Sequence, residues 1–192
     1  MDEFIFYTEF GLTHVLDVQA YDHVLFFIVL TINYGFKDWK KALWLITFFT
    51  IGHTLTLTLS TYHLIYVKMD IVEFLIPLTI FITAFYNIST SKEIHKNRTI
   101  GSFFSFTFGL IHGLGFSGAI RILIDDTDQK FLPIMEFALG IEIAQIMVVL
   151  IIFSLGFFVL NLFKIKKRDM VLVASSVVIG LIIPMLIERK FW

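Results

Sequence analysis

The stretch Phe10-Gly-Leu-Thr-His14-Val-Leu-Asp17-Val-Gln-Ala-Tyr-Asp22-His23-Val-Leu-Phe26 places two histidines and two aspartates at the mouth of an apolar run. Ionisable groups beside or inside a lipid bilayer are costly, so they mark functional sites by default. Three later apolar segments each carry one or two further groups of this kind. We therefore expect four segments of the chain to converge on one polar site.

The composition is that of a membrane protein. Of the 192 residues, 57% are hydrophobic and only 16% are charged, whereas soluble domains carry about 25% charged residues. The chain has no cysteine, which excludes disulfides, thiolate metal ligands and cysteine nucleophiles. We expect a lipid bilayer as the main partner and no nucleic acid. The glycine-rich helix faces fit either internal packing or a homo-oligomer, and the sequence leaves both open.

Six apolar runs are each long enough for the helix of about 20 residues that crosses a bilayer. They cover about residues 14–35, 41–65, 70–90, 100–123, 131–162 and 169–188. Short charged or polar joints separate them, and no joint is long enough for a soluble domain. The sequence predicts an all-α, polytopic transmembrane bundle of about six helices that forms a single integral membrane domain over residues 1–192, with no internal repeat.

Basic residues accumulate in alternate joints. Ten of the fifteen lysines and arginines lie in the first, third and fifth joints, around Lys37–Lys41, Ser91–Arg98 and Lys164–Asp169. Cytoplasmic loops of membrane proteins carry such an excess. The sequence therefore predicts that these joints are cytoplasmic and that both termini face outward.

The first apolar run carries the strongest signal for a metal. Imidazole nitrogen and carboxylate oxygen are ligands that suit divalent transition metals. On one straight helix, His14 and His23 would point in opposite directions, so we expect a break near Asp17–Tyr21. At about 1.5 Å per helical residue, His14 and Asp17 should lie at the rim of a chamber in the outer half of the bundle, with Asp22 and His23 about 13 Å deeper.

Two later motifs each bring one histidine to a matching depth. They are Phe49-Thr-Ile-Gly-His53-Thr54 and Gly109-Leu-Ile-His112-Gly113. A histidine that faces lipid is unfavourable, so these two should face the bundle, either as metal ligands or as ends of interhelical hydrogen bonds. The predicted metal ligands are His14, Asp17, Asp22, His23, His53 and His112.

Further polar residues are predicted to support these ligands or to line a pathway. Glu142 and Gln145 lie three residues apart on one helix face. A carboxylate this deep must be protonated, paired or bound to metal, and support for a histidine fits as well as direct ligation. The alternative for Thr54 is a hydrogen bond within its own helix, for Asn87 a hydrogen bond to a neighbouring helix, and for Ser117 packing.

Four motifs in this order resemble those of the HupE/UreJ family of small bacterial membrane proteins. They are Phe10–Phe26, Phe48–Leu59, Phe108–Phe116 and Phe137–Gln145. The resemblance implies a multi-pass nickel or cobalt permease of the bacterial inner (cytoplasmic) membrane. It also implies that the His…Asp-His motif linked to metal uptake corresponds to His14, Asp22 and His23. The gap between His14 and Asp22 is longer here than in better-studied members.

Three hypotheses from different classes remain open. The favoured one is a divalent transition-metal permease, in which His14 and Asp17 capture the ion and the deeper groups pass it inward through several moderate sites. The alternative is an intramembrane zinc-dependent hydrolase acting on a lipid-like substrate, with Asp22 or Glu142 as general base. The third is an assembly or sensor protein that binds metal structurally. The sequence does not choose among nickel, cobalt and zinc.

Overall fold

The computed structural model describes residues 2–17, 21–91, 98–124 and 129–192, which form seven α-helices and one short 3-10 turn without any strand. The helices are α1 (Asp2–Leu16), α2 (Asp22–Thr31), α3 (Trp39–Thr61), α4 (Met69–Ser89), α5 (Arg98–Ile124), α6 (Phe131–Leu162) and α7 (Lys167–Glu188). In this part of the chain, α3 to α7 each supply a segment long and apolar enough to cross a membrane. The predicted polytopic helical bundle is confirmed, and the protein is a multi-pass membrane protein.

The prediction of one crossing helix over about residues 14–35 is wrong. Helix α1 begins twelve residues earlier, at Asp2, and α2 contains only ten residues. The break predicted near Asp17–Tyr21 is confirmed, because α1 ends at Leu16 and α2 starts at Asp22, while Val18–Ala20 lie outside the described residues. The other five predicted runs agree with α3 to α7 within four residues at each end. The outer and cytoplasmic sides named below remain those predicted from the basic joints.

The outside of the bundle is apolar, as contact with lipid requires. On α6, Leu155, Phe157 and Phe158 are each between 60% and 62% exposed. A water-soluble protein rarely leaves such large apolar side chains exposed in a continuous band. The interior instead holds buried polar side chains, and these lie where the helices approach one another.

Helices α3 and α5 form the most extensive helix pair, and glycines set their separation. A Cβ atom at Gly109 would collide with the carbonyl oxygen of Phe49, and one at Gly52 would collide with the carbonyl oxygen of Phe106. Small residues of this kind let two membrane helices approach until their backbones touch. The close approach fixes His53, the neighbour of Gly52, against α5.

Helices α1 and α6 repeat this packing motif. A Cβ atom at Gly11 would collide with the carbonyl oxygen of Phe137, and one at Gly140 with that of Thr8. The two pairs share short sequence patterns: Phe10-Gly-Leu-Thr-His14 matches Phe108-Gly-Leu-Ile-His112, and Phe49-Thr-Ile-Gly matches Phe137-Ala-Leu-Gly. The matching segments are only four or five residues long, so they are a local packing motif, and the prediction that the chain has no internal repeat stays a prediction.

Helix α2 is the most enclosed helix of the described bundle. Eight of its ten residues are buried, and it packs between α4, α6 and α7. Its first two residues, Asp22 and His23, are only 7% and 5% exposed. The break after α1 thus delivers an acid and an imidazole into the centre of the protein.

Candidate metal site

Four histidines from four helices meet in the interior. The ring centroids lie 4.7 Å apart for His14 and His23, 5.2 Å for His23 and His112, and 5.9 Å for His14 and His53. These close pairs link the four rings in the order His53, His14, His23, His112, and we call this set the histidine row. Helices α1, α2, α3 and α5 each contribute one member. The structure brings these four predicted ligands together, and metal binding by them stays a prediction.

The histidine row holds six buried ring nitrogens that have no hydrogen-bond partner among the described residues. They are Nε2 of His14, both ring nitrogens of His23, both of His53 and Nε2 of His112. Leaving a buried polar atom unsatisfied costs about 1–3 kcal/mol. Each neutral imidazole presents one nitrogen lone pair, so the row offers lone pairs that a cation would satisfy.

Neighbouring rings are spaced as two ligands of one ion would be. Imidazoles that bind the same ion at about 2.1 Å place their ring centroids roughly 4.5–6.5 Å apart, and the row has separations of 4.7–5.9 Å. Within the described residues, no three or more His, Asp or Glu side chains already surround a single position. The arrangement therefore supplies neighbouring pairs of ligands.

Asp22 supplies a negative charge at one side of the row. Its Oδ1 accepts a hydrogen bond from the backbone N–H of His23 at 2.9 Å and lies 3.2 Å from Nδ1 of the same residue. Its Oδ2 lies 3.8 Å from a guanidinium nitrogen of Arg189, at the end of α7. A carboxylate in the first turn of a helix is also favoured by the helix dipole. Asp22 is thus placed to hold His23 and to attract a cation, and Arg189 occupies its second oxygen.

Phenylalanines enclose the histidine row. The ring centroids of His14 and Phe116 lie 3.8 Å apart, and the Phe116 ring stacks on that of Phe137 with a centroid distance of 5.1 Å. Phe49 lies 5.3 Å from His112. These rings surround the row with apolar surface, and electrostatic interactions strengthen in such low-dielectric surroundings. These phenylalanines are not among the predicted site residues. The sequence holds a signal for one of them, Phe49, which precedes His53 by four residues, as Phe10 precedes His14 and Phe108 precedes His112.

An open cavity of about 430 Å³ leads from the surface to His14. Asp17, which is exposed, lies at its mouth, and the other lining residues are Phe10, Leu12, Thr13, His14, Leu16 and Phe116. The exposure of Asp17 fits its predicted place at a rim. The predicted depth difference between His14 and His23 is wrong, because α1 breaks after Leu16 and brings the two rings into contact.

A family model described as HupE/UreJ protein matches residues 1–189, nearly the whole chain. The chain belongs to the HupE/UreJ family. Searches of curated proteins and of solved structures gave no match. The resemblance inferred from the four motifs is thereby confirmed, and in this HupE/UreJ protein the first three of those motifs each contribute to the histidine row.

Two residues of the fourth motif, Glu142 and Gln145, form a separate site in this HupE/UreJ protein. Glu142 accepts hydrogen bonds from Thr47 and Thr50 of α3, and Gln145 lies beside Thr50. Thr50 precedes His53 by three residues, about 4.5 Å nearer the cytoplasmic start of α3. No hydrogen bond joins Glu142 to a histidine among the described residues. Glu142 therefore lies toward the start of α3 from the row, on the side that the basic joints predict to be cytoplasmic, rather than within the row.

The remaining predicted pathway residues have structural roles or stand apart. Asn87 donates to the carbonyl oxygen of Val29 at 2.6 Å and accepts from Asn33 at 2.8 Å, so it ties α4 to the far end of α2. Ser117 donates within its own helix, to the carbonyl oxygen of Leu114 at 2.8 Å. The Thr54 hydroxyl is buried without a partner among the described residues. Asn87 thus bonds a neighbouring helix, and Ser117 bonds within its own helix.

Proposed function

We propose that this HupE/UreJ protein is a permease for a divalent transition-metal ion of the nickel or cobalt type in the bacterial inner membrane. The observation that carries the proposal is the histidine row, with six buried ring nitrogens that make no hydrogen bond among the described residues and of which one, Nδ1 of His23, lies 3.2 Å from Asp22. Imidazole suits nickel, cobalt and zinc alike. Membership of a family associated with metal transport supports the same conclusion.

The succession of neighbouring ligands favours movement of a metal ion through the site over its permanent binding. Permeation requires several sites of moderate strength in succession. The row offers such a succession: an ion that arrives through the cavity at Asp17 meets His14 first, and His23 lies 4.7 Å further along. Asp22 supplies the charge that favours a cation at this point.

Transport by purified protein in liposomes tests the proposal. Liposomes filled with a metal-sensitive dye should take up nickel or cobalt, and His14→Ala should reduce the initial rate by at least about tenfold, the loss expected when about 1.4 kcal/mol of ligand interaction is removed. His63→Ala is the matched control, because His63 is exposed and lies outside the row. It should transport at the wild-type rate.

Two results would contradict the permease. One is wild-type transport by His14→Ala when folding and insertion are unchanged. The other is a protein that binds metal but never moves it across the membrane. Tightly held zinc together with cleavage of a lipid-like substrate would favour the hydrolase instead.

Arg189 gives a second prediction, because its guanidinium competes with an incoming cation for Asp22. Arg189→Gln should raise the affinity for nickel or cobalt several-fold, since a like charge within about 4–8 Å of the ion is removed. Calorimetric titration of the protein in detergent measures this change. Lys190→Gln alters the total charge equally, and Lys190 is exposed, so its affinity should stay unchanged. Weaker binding by Arg189→Gln would show that the arginine positions Asp22 for the metal.

A further inference from the structure

A second polar site joins α3 and α6 on the predicted cytoplasmic side of the histidine row. The Thr47 hydroxyl donates to Oε1 of Glu142 at 2.6 Å, and the Thr50 hydroxyl is hydrogen-bonded to Oε2. The Thr50 oxygen also lies 3.2 Å from Oε1 of Gln145, whose side chain is fully buried. The metal site described above uses none of these four residues.

With Oε1 of Gln145 turned toward Thr50, the hydrogen atoms of this site do not suffice when Glu142 is ionised. Oε2 of Glu142 and Oε1 of Gln145 both face the single hydroxyl proton of Thr50, and neither oxygen can donate. A proton on Oε2 of Glu142 resolves the conflict. The carboxylic acid then donates to Thr50, and Thr50 donates to Gln145, so that one continuous chain of hydrogen bonds runs from α6 through α3 and back.

The ionised state has its own complete arrangement. Nε2 of Gln145 is buried without a partner among the described residues. Rotating the amide by 180° exchanges its oxygen and nitrogen, so that Nε2 donates to Thr50 and Thr50 donates to Glu142. The direction of every bond in the chain reverses. The hydrogen bonds between Glu142, Thr50 and Gln145 are complete in both states, which differ by one proton and one amide rotation, and in each state the other amide atom of Gln145 has no partner among the described residues.

The spacing of the oxygens leaves no room for a metal ion between Thr47 and Glu142. Oxygens that surround a cation at about 2.4 Å stand more than about 3 Å apart. The Thr47 and Glu142 oxygens lie 2.6 Å apart, and the hydrogen of the Thr47 hydroxyl fills this gap. The place for an additional proton is therefore Oε2 of Glu142, on the side of Thr50.

We propose that Glu142 is a proton-binding site that couples metal movement through the histidine row to proton movement in the opposite direction. The inference rests on the proposed permease function. When a divalent cation occupies the row, the low-dielectric interior strengthens its repulsion of a proton on Glu142. The O–H bond of the carboxylic acid breaks, the proton leaves to water, and the carboxylate keeps the electron pair. Departure of the metal allows a proton to return.

Titratable groups on neighbouring helices do not pair with Glu142 in the described part of the chain. The ionisable side chains of the helices packed against α6 are Glu3, Tyr7, Glu9 and His14 on α1, Asp22 and His23 on α2, Lys40, Lys41 and His53 on α3, and Lys167, Arg168, Asp169 and Glu188 on α7. None of these described side chains forms a hydrogen bond or ion pair with Glu142. The members of the histidine row in this set therefore act on Glu142 through space alone.

The test counts protons and metal ions together. Liposomes containing purified protein and two dyes, one for pH and one for nickel or cobalt, report both movements at once. Wild-type protein should move protons in the direction opposite to the metal. In Glu142→Gln, the proton movement that accompanies metal uptake should fall to the proton leak of protein-free liposomes. Glu136→Gln is the matched control, because Glu136 lies on the same helix outside this network. It should keep the wild-type ratio.

Infrared difference spectroscopy provides a readout that does not depend on transport. A band from a protonated carboxyl group should appear in wild-type protein, disappear on addition of nickel, and be absent from Glu142→Gln. Thr50→Val, which removes the bridging hydroxyl, should shift this band, whereas a merely structural role for Thr50 would leave it in place.

The outcomes separate this inference from the permease proposal. Wild-type protein that moves metal without protons overturns the inference and leaves the permease intact, as does a wild-type proton ratio in Glu142→Gln. Wild-type protein that moves no metal overturns both. Loss of the proton ratio and of the infrared band in Glu142→Gln, with both retained in Glu136→Gln, supports the inference.

Discussion

Replacing His53 and His112 together with alanine should weaken the binding of nickel or cobalt by at least about 100-fold, which corresponds to about 2.7 kcal/mol at 25 °C. The two residues are the ends of the histidine row and are 0% and 3% exposed. Three of the six ring nitrogens that make no hydrogen bond among the described residues belong to them. Their removal leaves only the His14 and His23 pair. Calorimetric titration and elemental analysis of the protein in detergent measure the loss.

A control and an alternative variant keep this result interpretable. His63→Ala changes an exposed histidine outside the row and should retain full affinity. If the double alanine variant fails to fold, His53→Gln with His112→Gln preserves the side-chain volume more closely. Full metal affinity in either double variant would remove the central site and, with it, the proposed permease mechanism. One tightly held zinc per chain, lost in the variants, would instead favour a hydrolase or a structural site.

Gly109→Ala should lower the stability of the protein by about 1–3 kcal/mol, the range measured when extra atoms enter a well-packed core. The added Cβ atom would collide with the carbonyl oxygen of Phe49 and lie 2.9 Å from the backbone nitrogen of His53. Both neighbours are backbone atoms, so α3 and α5 must move apart. This movement displaces His53 from His14, and metal affinity should fall as well.

Gly180→Ala is the matched control for this substitution. Gly180 lies within α7, where a Cβ atom would meet nothing within 4 Å. Alanine is favoured over glycine inside a helix by about 1 kcal/mol, so this variant should be at least as stable as wild type. Thermal unfolding in detergent, followed by circular dichroism, compares the two. Equal midpoints for the two variants would mean that the α3–α5 contact is not close packed.

Two equivalent glycine contacts position two of the histidines. Gly11 with Phe137 repeats the contact of Gly109 with Phe49, and the two helices that carry Gly11 and Gly109 share a Phe-Gly-Leu-x-His pattern. The pattern places His14 and His112 at corresponding positions of two helix pairs. Equivalent local packing thus supplies two members of the histidine row.

The sequence by itself determined the membrane class, the bounds of most helices and the family. Helix α6, predicted over residues 131–162, has those bounds in the structure. Such features depend on local properties, because a helix in lipid must satisfy its own backbone and is bounded by polar joints. The break between α1 and α2 was also predictable, since His14 and His23 cannot face one site on a straight helix.

Only the tertiary structure decided which side chains meet. It placed His14 beside His23 rather than at the rim, joined Glu142 to Thr47 and Thr50, and brought Arg189 to Asp22. These contacts join residues far apart in the chain, and depth along a helix axis leaves its rotation and its neighbours undetermined. Rotation and neighbours are set by backbone approach at glycines such as Gly52 and Gly109, because that packing energy depends on both helices at once.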